Sequence, residues 1–344
     1  MEIAFSDMIG NEALRASLGK DISQGRFSHA YIIEGAYGFG KHMLASRIAA
    51  ALSCERSNDA SSAIPCMQCP SCRKILSGNS PDLIYVGKGD KATLGVDAIR
   101  AMHRDVWIAP NELSYKIYVV EEAHLMTVQA QNAFLLTLEE PPAYVCFLLL
   151  CENATLLLET VRSRAPVLRL SPISIASIRE ALCRTEPTAK NMLTQSPAEF
   201  EELLVASNGS IGRAKELLDP KRRRPILEQR ENAREWIKLA ASHRNSGAVL
   251  AFFQSLGQKR EELLSTFGVV QLALRDLLLC KQAEHAPLCF FADREEAADL
   301  SYKFSAPELL HLCNCIEEAV LRLRANANVR LTLTMLAVNS GLLP

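Results

Sequence analysis

The chain has 344 residues, 49% of them hydrophobic, with a formal net charge of -1. That length supports roughly two or three domains with cores of their own. The charge balance gives no global pull toward nucleic acid, so such a contact has to come from a local patch or from partner subunits.

Met1 to Asp7 has no basic start and no long apolar core, so no signal peptide is expected. The first predicted element is a short buried strand, His29 to Glu34. It leads into Gly-Ala-Tyr-Gly-Phe-Gly-Lys-His at residues 35–42. This is a phosphate-binding loop complete up to its last position. Gly35, Gly38 and Gly40 let backbone N–H groups crowd around phosphate oxygens, and Lys41 reaches the terminal phosphates. The last position calls for a Ser or Thr hydroxyl on Mg²⁺, and His42 stands there instead. Imidazole is a poor ligand for a hard cation that prefers oxygen. An alanine-rich helix follows from Met43 to Leu52, whose N-terminal dipole favours an anion. Strand, glycine loop and helix together predict a nucleotide-type domain that does not take Mg²⁺, with ATP binding itself left open.

Cys54, Cys66, Cys69 and Cys72 lie within nineteen residues. Four thiolates at this spacing suit a closed, structural Zn²⁺ site with no open position for catalysis. Free thiols, a redox pair and an iron–sulfur cluster are the alternatives that spacing leaves open. The intervening 55–65 segment is small and polar, and metal would order it. The remaining seven of the eleven cysteines sit in helix or strand patterns and read as small core residues. Together they point to a reducing, cytoplasmic setting.

Further along, a strand is expected over 82–86 and a helix over 96–108. A strand over 116–120 ends in Glu121 and Glu122. In nucleotide hydrolases such an acidic pair divides the work, the first acid toward Mg²⁺ and the second as the base for water. Glu121 stands where Asp is usual, a second departure at the metal, while Glu122 is a base left in place. A helix over 129–139 and a strand over 145–150 follow, too short to span a bilayer. Asn153 at that strand's end can orient a water or sense a phosphate. A last strand is expected over 165–170. Arg164, just before it, would lie at the domain edge, where an arginine can enter a neighbouring nucleotide site. Pro172 marks the break to a small helical lid over 172–219. The run Pro220-Lys-Arg-Arg-Arg-Pro225 reads as a basic linker, and the pattern is helical from 226 to the end.

These residues resemble the bacterial clamp-loader family of AAA+ proteins. The likeness lies in Phe5 to Glu12, Ser28 to Tyr31, the cysteine insertion after the loop helix, Gln131 to Pro142, Ser163-Arg164-Ala165, Gly209 to Ala214, and Asn326 to Leu331. It implies an α/β fold: an AAA+ parallel-sheet domain (1–171), a helical lid and an all-α collar (226–344). It also implies that Arg213 faces nucleotide and that Arg164 acts in trans. Partners would be delta and gamma/tau subunits, a sliding clamp and, through the complex, primer–template DNA, with no membrane. His42, Glu121, Ala165 and Leu136 depart from the family pattern. They fit a stator that donates an arginine better than an ATP-hydrolysing motor. A helicase is disfavoured because only one nucleotide-type domain is present. A free-standing zinc nucleic-acid binder is disfavoured because only Arg56, Arg73 and Lys74 lie near the cysteines.

Overall fold

The computed structural model describes residues 5, 7–56, 64–242, 246–283 and 288–343. The start of the opening segment (1–4 and 6) and the middle of the inter-cysteine segment (57–63) lie outside the described residues. Two compact units are present: Met1–Ala181 with Gly209–Arg213, and Leu182–Asn208 with Ala214–Pro344. The middle segment, expected as one lid, is divided between them.

In chain order the first part contains α1 (Glu12–Ser23), β1 (Ala30–Glu34), α2 (Lys41–Leu52), α3 (Pro70–Leu76), β2 (Leu83–Val86) and α4 (Val96–Asp105). β3 (Lys116–Val120), α5 (Val128–Glu139), β4 (Val145–Cys151), α6 (Glu159–Arg162) and β5 (Val167–Arg169) follow. All five strands are parallel, in the order β2-β3-β4-β1-β5. A parallel sheet is covered on both faces, so its central strands read as nearly continuous apolar runs rather than alternating. β3 and β4 are buried at every residue. Along β4, Cys146, Leu148 and Leu150 enter the core that includes Ile48 of α2 and Ile75 of α3. Phe147 and Leu149 enter the opposite core, with Met102 of α4 and Phe134 of α5. The expected helix over 96–108 ends three residues early. There Lys116 Nζ donates to the Asp105 and Ile108 carbonyls and ties down the exit loop. Asp82, fully buried, fastens the next stretch by accepting from the N–H groups of Asn111, Glu112 and Leu113.

The remaining helices are α7 (Ile175–Thr185), α8 (Pro187–Gln195), α9 (Pro197–Ala206), α10 (Ile211–Leu217), α11 (Pro220–Ser242), α12 (Ser246–Ser255), α13 (Arg260–Gln282), α14 (Arg294–Tyr302), α15 (Ala306–Arg324) and α16 (Val329–Asn339). The basic linker expected at 220–225 is instead the start of α11. Pro220 occupies a first-turn position, where a missing N–H costs nothing. Pro225 interrupts one bond to the Lys221 carbonyl, but both residues are exposed, so water can take its place. Arg223 anchors this turn through Glu199 at 2.9 Å and the Leu217 carbonyl at 3.1 Å.

α13 is long and apolar enough to cross a membrane by length and composition, the only such helix among the described residues. Its Leu263, Phe267, Val270, Ala273, Leu274 and Leu277 lie instead in the core of the second unit. Asp276, fully buried in the same helix, accepts from the backbone N–H of Cys289, Phe290 and Phe291. α15 opens on a reciprocal cap between Ser305 and Glu308.

Candidate nucleotide-type site and cysteine centre

The phosphate-binding loop leaves the carboxyl end of β1 and closes on the N-terminus of α2. Gly38 at φ 74° and Gly40 at φ 91° hold left-handed backbone that residues with a Cβ adopt only with strain. The loop is satisfied by the protein itself. Lys41 Nζ donates to the carbonyls of Gly35 at 2.6 Å and Ala36 at 3.0 Å. Burial pulls the Lys41 pKa below the ordinary lysine value. Ser210 Oγ donates to the Tyr37 carbonyl at 3.1 Å and accepts from the N–H of Arg213. Gly212 N–H donates to the Gly38 carbonyl at 3.0 Å. Gly209–Arg213 therefore forms a latch on the loop.

That latch depends on two glycines meeting. A Cβ on Gly212 would lie 2.8 Å from Gly38 Cα, and one on Gly38 would lie 2.3 Å from Ser210 Oγ. Gly212→Ala presses on backbone that cannot swing away. It is expected to destabilise the first unit by roughly 1–3 kcal/mol, read as a lower denaturant midpoint. A midpoint equal to wild type would show that the latch opens freely.

The two departures from the metal-binding pattern meet each other. His42 Nε2 lies 2.9 Å from Glu121 Oε1. The pair is substantially exposed, so its own strength is at most about 1 kcal/mol and it does not by itself bar a ligand. No hydroxyl oxygen stands at position 42, and imidazole is a poor ligand for Mg²⁺. Glu122, in left-handed backbone at φ 45°, pairs with Lys88 Nζ at 3.1 Å. Asn153 turns its Oδ1 back onto the N–H and hydroxyl of Thr155, capping a short turn after β4. Arg164 donates to Glu139 Oε1 at 2.7 Å and to the Thr160 carbonyl at 3.0 Å.

Sequence reasoning placed the loop, the acids, Asn153 and the two arginines, but it missed Lys88, Glu139, Ser210 and Gly212 as their partners. The sequence spacings of these pairs, 34 for Lys88–Glu122 and 25 for Glu139–Arg164, match no helix or strand period. Glu34 was also missed. Ala154 N–H and Arg169 both bond to it and hold its carboxyl below the usual range, the backbone N–H contributing most.

The four clustered cysteines come together as the spacing predicts. Their sulfurs all lie within 4.8 Å of one another, and Cys66 Sγ and Cys72 Sγ are 4.0 Å apart. A tetrahedral ion with sulfur at ~2.3 Å places its ligands about 3.8 Å apart, so the cluster could hold a metal ion after a small contraction. Cys69 N–H points at Cys66 Sγ and Cys72 N–H at Cys69 Sγ. Burial opposes ionisation at Cys66, yet the N–H groups of Gln68 and Cys69 with the neighbouring thiols bring its pKa down to about 6. Burial pushes Cys72 up. Cys54, Cys69 and Cys72 also belong to the core beside Phe5, Met8 and Ile75, and Phe5 N–H bonds the Ile64 carbonyl. The module is thus packed into the first unit.

A family model described as "DNA polymerase III, delta subunit" matches residues 10–174. The chain is 33% identical over 215 residues to DNA polymerase III subunit tau of Salmonella typhimurium, covering 62% of this chain and 32% of that protein. It is 31% identical over 215 residues to subunit tau of Bacillus subtilis, covering 62% and 37%. The chain thus spans about a third of the length of these relatives. A solved gamma subunit-related protein from Thermotoga maritima aligns over 94% of this chain and 97% of its own, with 16% identity and a TM-score of 0.45. The phosphate loop, the acidic strand end and the 163–165 arginine segment all lie within the matched residues and in one parallel-sheet unit, so this part of the chain is similar to DNA polymerase III subunits.

Proposed function

We propose that this chain is a delta-prime-like stator of the DNA polymerase III clamp loader. In this reading it assembles with delta and gamma/tau subunits and lends Arg164 to a neighbour's ATP site. The complex then places a sliding clamp on primed DNA. The observation that carries the reading is an asymmetry. It is one of residue type: where this chain's own Mg²⁺ would be held stand His42 and Glu121, 2.9 Å apart, with no hydroxyl at position 42, whereas an arginine is kept at position 164 with its side chain 36% exposed. The four sulfurs would hold a structural Zn²⁺, because a tetrahedral N/S-binding ion suits an all-thiolate set.

A second reading is an ATP-hydrolysing gamma/tau-like motor, favoured by the names of the tau relatives. Calorimetry of ATP binding with and without Mg²⁺, together with turnover by the purified chain, separates the two. The stator reading expects no Mg²⁺-dependent gain in affinity and no turnover. It also expects that His42→Thr with Glu121→Asp restores a Mg²⁺-dependent gain. Turnover by the wild-type chain that is abolished in Lys41→Ala would replace the stator with the motor.

A further inference from the structure

We infer that Glu139 is the positioning residue of Arg164: it holds the guanidinium pre-aimed for the neighbouring phosphate. The inference rests on the stator reading above and deepens it.

Arg164 follows α6, a single turn too short to fix a long side chain through its backbone. An exposed arginine in that setting would sample many rotamers, and each has to be given up when the guanidinium meets a phosphate. Two anchors from different elements limit this freedom. Glu139, the last residue of α5, takes Nη2 at 2.7 Å. The Thr160 carbonyl, which also accepts from Ser163 Oγ at 3.0 Å, takes Nη1 at 3.0 Å. A guanidinium has five N–H donors in a rigid fork, so three remain free to meet phosphate oxygens. The side chain of Arg164 is 36% exposed and that of Glu139 is 50% exposed, so the fork is held at the surface rather than buried.

The carboxylate also has an opposing effect, since its negative charge offsets part of the positive charge delivered to phosphate. At this exposure solvent screens the charge of the pair heavily, whereas the direction of the hydrogen bonds from Nη2 to Glu139 and from Nη1 to the Thr160 carbonyl is kept. Positioning therefore outweighs charge competition, and an uncharged acceptor at position 139 preserves most of the effect.

The test is ATP turnover with Mg²⁺ by the clamp-loader complex reassembled around variants of this chain, with assembly checked by gel filtration. Glu139→Ala is expected to lower kcat at the dependent site about tenfold with little change in KM, and Glu139→Gln to stay within about threefold of wild type. In an Arg164→Ala background, Glu139→Ala is expected to add nothing further, a non-additivity that a purely structural role would not produce. Higher turnover in Glu139→Ala would mean that charge competition dominates, and would overturn the inference. If Arg164→Ala lowers turnover while Glu139→Ala does not, positioning fails and the stator reading stands. Unchanged turnover in Arg164→Ala sinks the stator reading itself.

Discussion

On the stator reading, Arg164→Ala is expected to cut ATP turnover at the neighbouring site by roughly a thousandfold while leaving the complex assembled. The magnitude follows from what such an arginine supplies. Charge builds on the equatorial oxygens of the transferring phosphoryl group, and a planar, permanently charged donor placed there stabilises the transition state more than the ground state. Trans-acting arginines are worth about 10³ to 10⁵ in turnover, and the expected loss is set at the lower end of that range. Assembly is expected to survive because Arg164 and Glu139 form a partly exposed pair worth at most about 1 kcal/mol to this chain's own stability. Arg164→Lys is expected to recover little, since an ammonium is a point charge without the bidentate fork. The measurement is single-turnover hydrolysis in the reassembled complex, because steady-state rates would average sites that receive other arginines. A fall in KM affinity alone, with the chemical step untouched, would show that Arg164 binds substrate and does not stabilise the transition state.

The parts of this chain that could be read directly are those in which one local requirement fixes the residue type. The loop at 35–42 needs glycine where the backbone turns left-handed, and Gly38 and Gly40 are left-handed. β3 and β4 read as strands because a sheet covered on both faces favours nearly continuous apolar runs, such as Ile117–Val120 and Val145–Cys151. The cysteine spacing predicted a cluster, and the sulfurs converge. What could not be read is how the site residues are occupied. Nothing in the sequence near Glu122 points to Lys88, and nothing near Tyr37 or Gly38 points to Ser210 and Gly212, because those contacts are made by the topology. The misreading of 220–225 has a different origin. Two prolines around four cations look like a hinge when scored as helix breakers. A proline in the first turn removes no bond, however, and one at an exposed position removes a bond that water replaces.

Stripping metal from the cysteine centre is expected to have the largest effect on stability. Dialysis of the proposed zinc form against a strong chelator should remove one Zn²⁺ per chain and lower the unfolding midpoint of the first unit by about 10 °C or more. Binding to the folded state alone stabilises by RT ln(1 + [L]/Kd), and a structural thiolate site reaches several kcal/mol on that scale. For a unit of this size each kcal/mol is worth about 2–4 °C. Complete unfolding is not expected. Cys54, Cys69 and Cys72 also pack against Phe5, Met8 and Ile75, and that burial persists without metal. Cys69→Ser should reproduce the chelator's effect, because a serine hydroxyl is not deprotonated as a thiol is and cannot replace a thiolate ligand. Cys146→Ser provides the contrast. That residue lies fully buried in β4 outside the cluster, with its thiol pushed up to about 12 by burial. Its replacement should cost stability through a buried hydroxyl while leaving metal content intact. Metal analysis well below one ion per chain in freshly isolated protein, with a midpoint insensitive to chelator, would leave the four thiols as core side chains that pack close together and coordinate nothing.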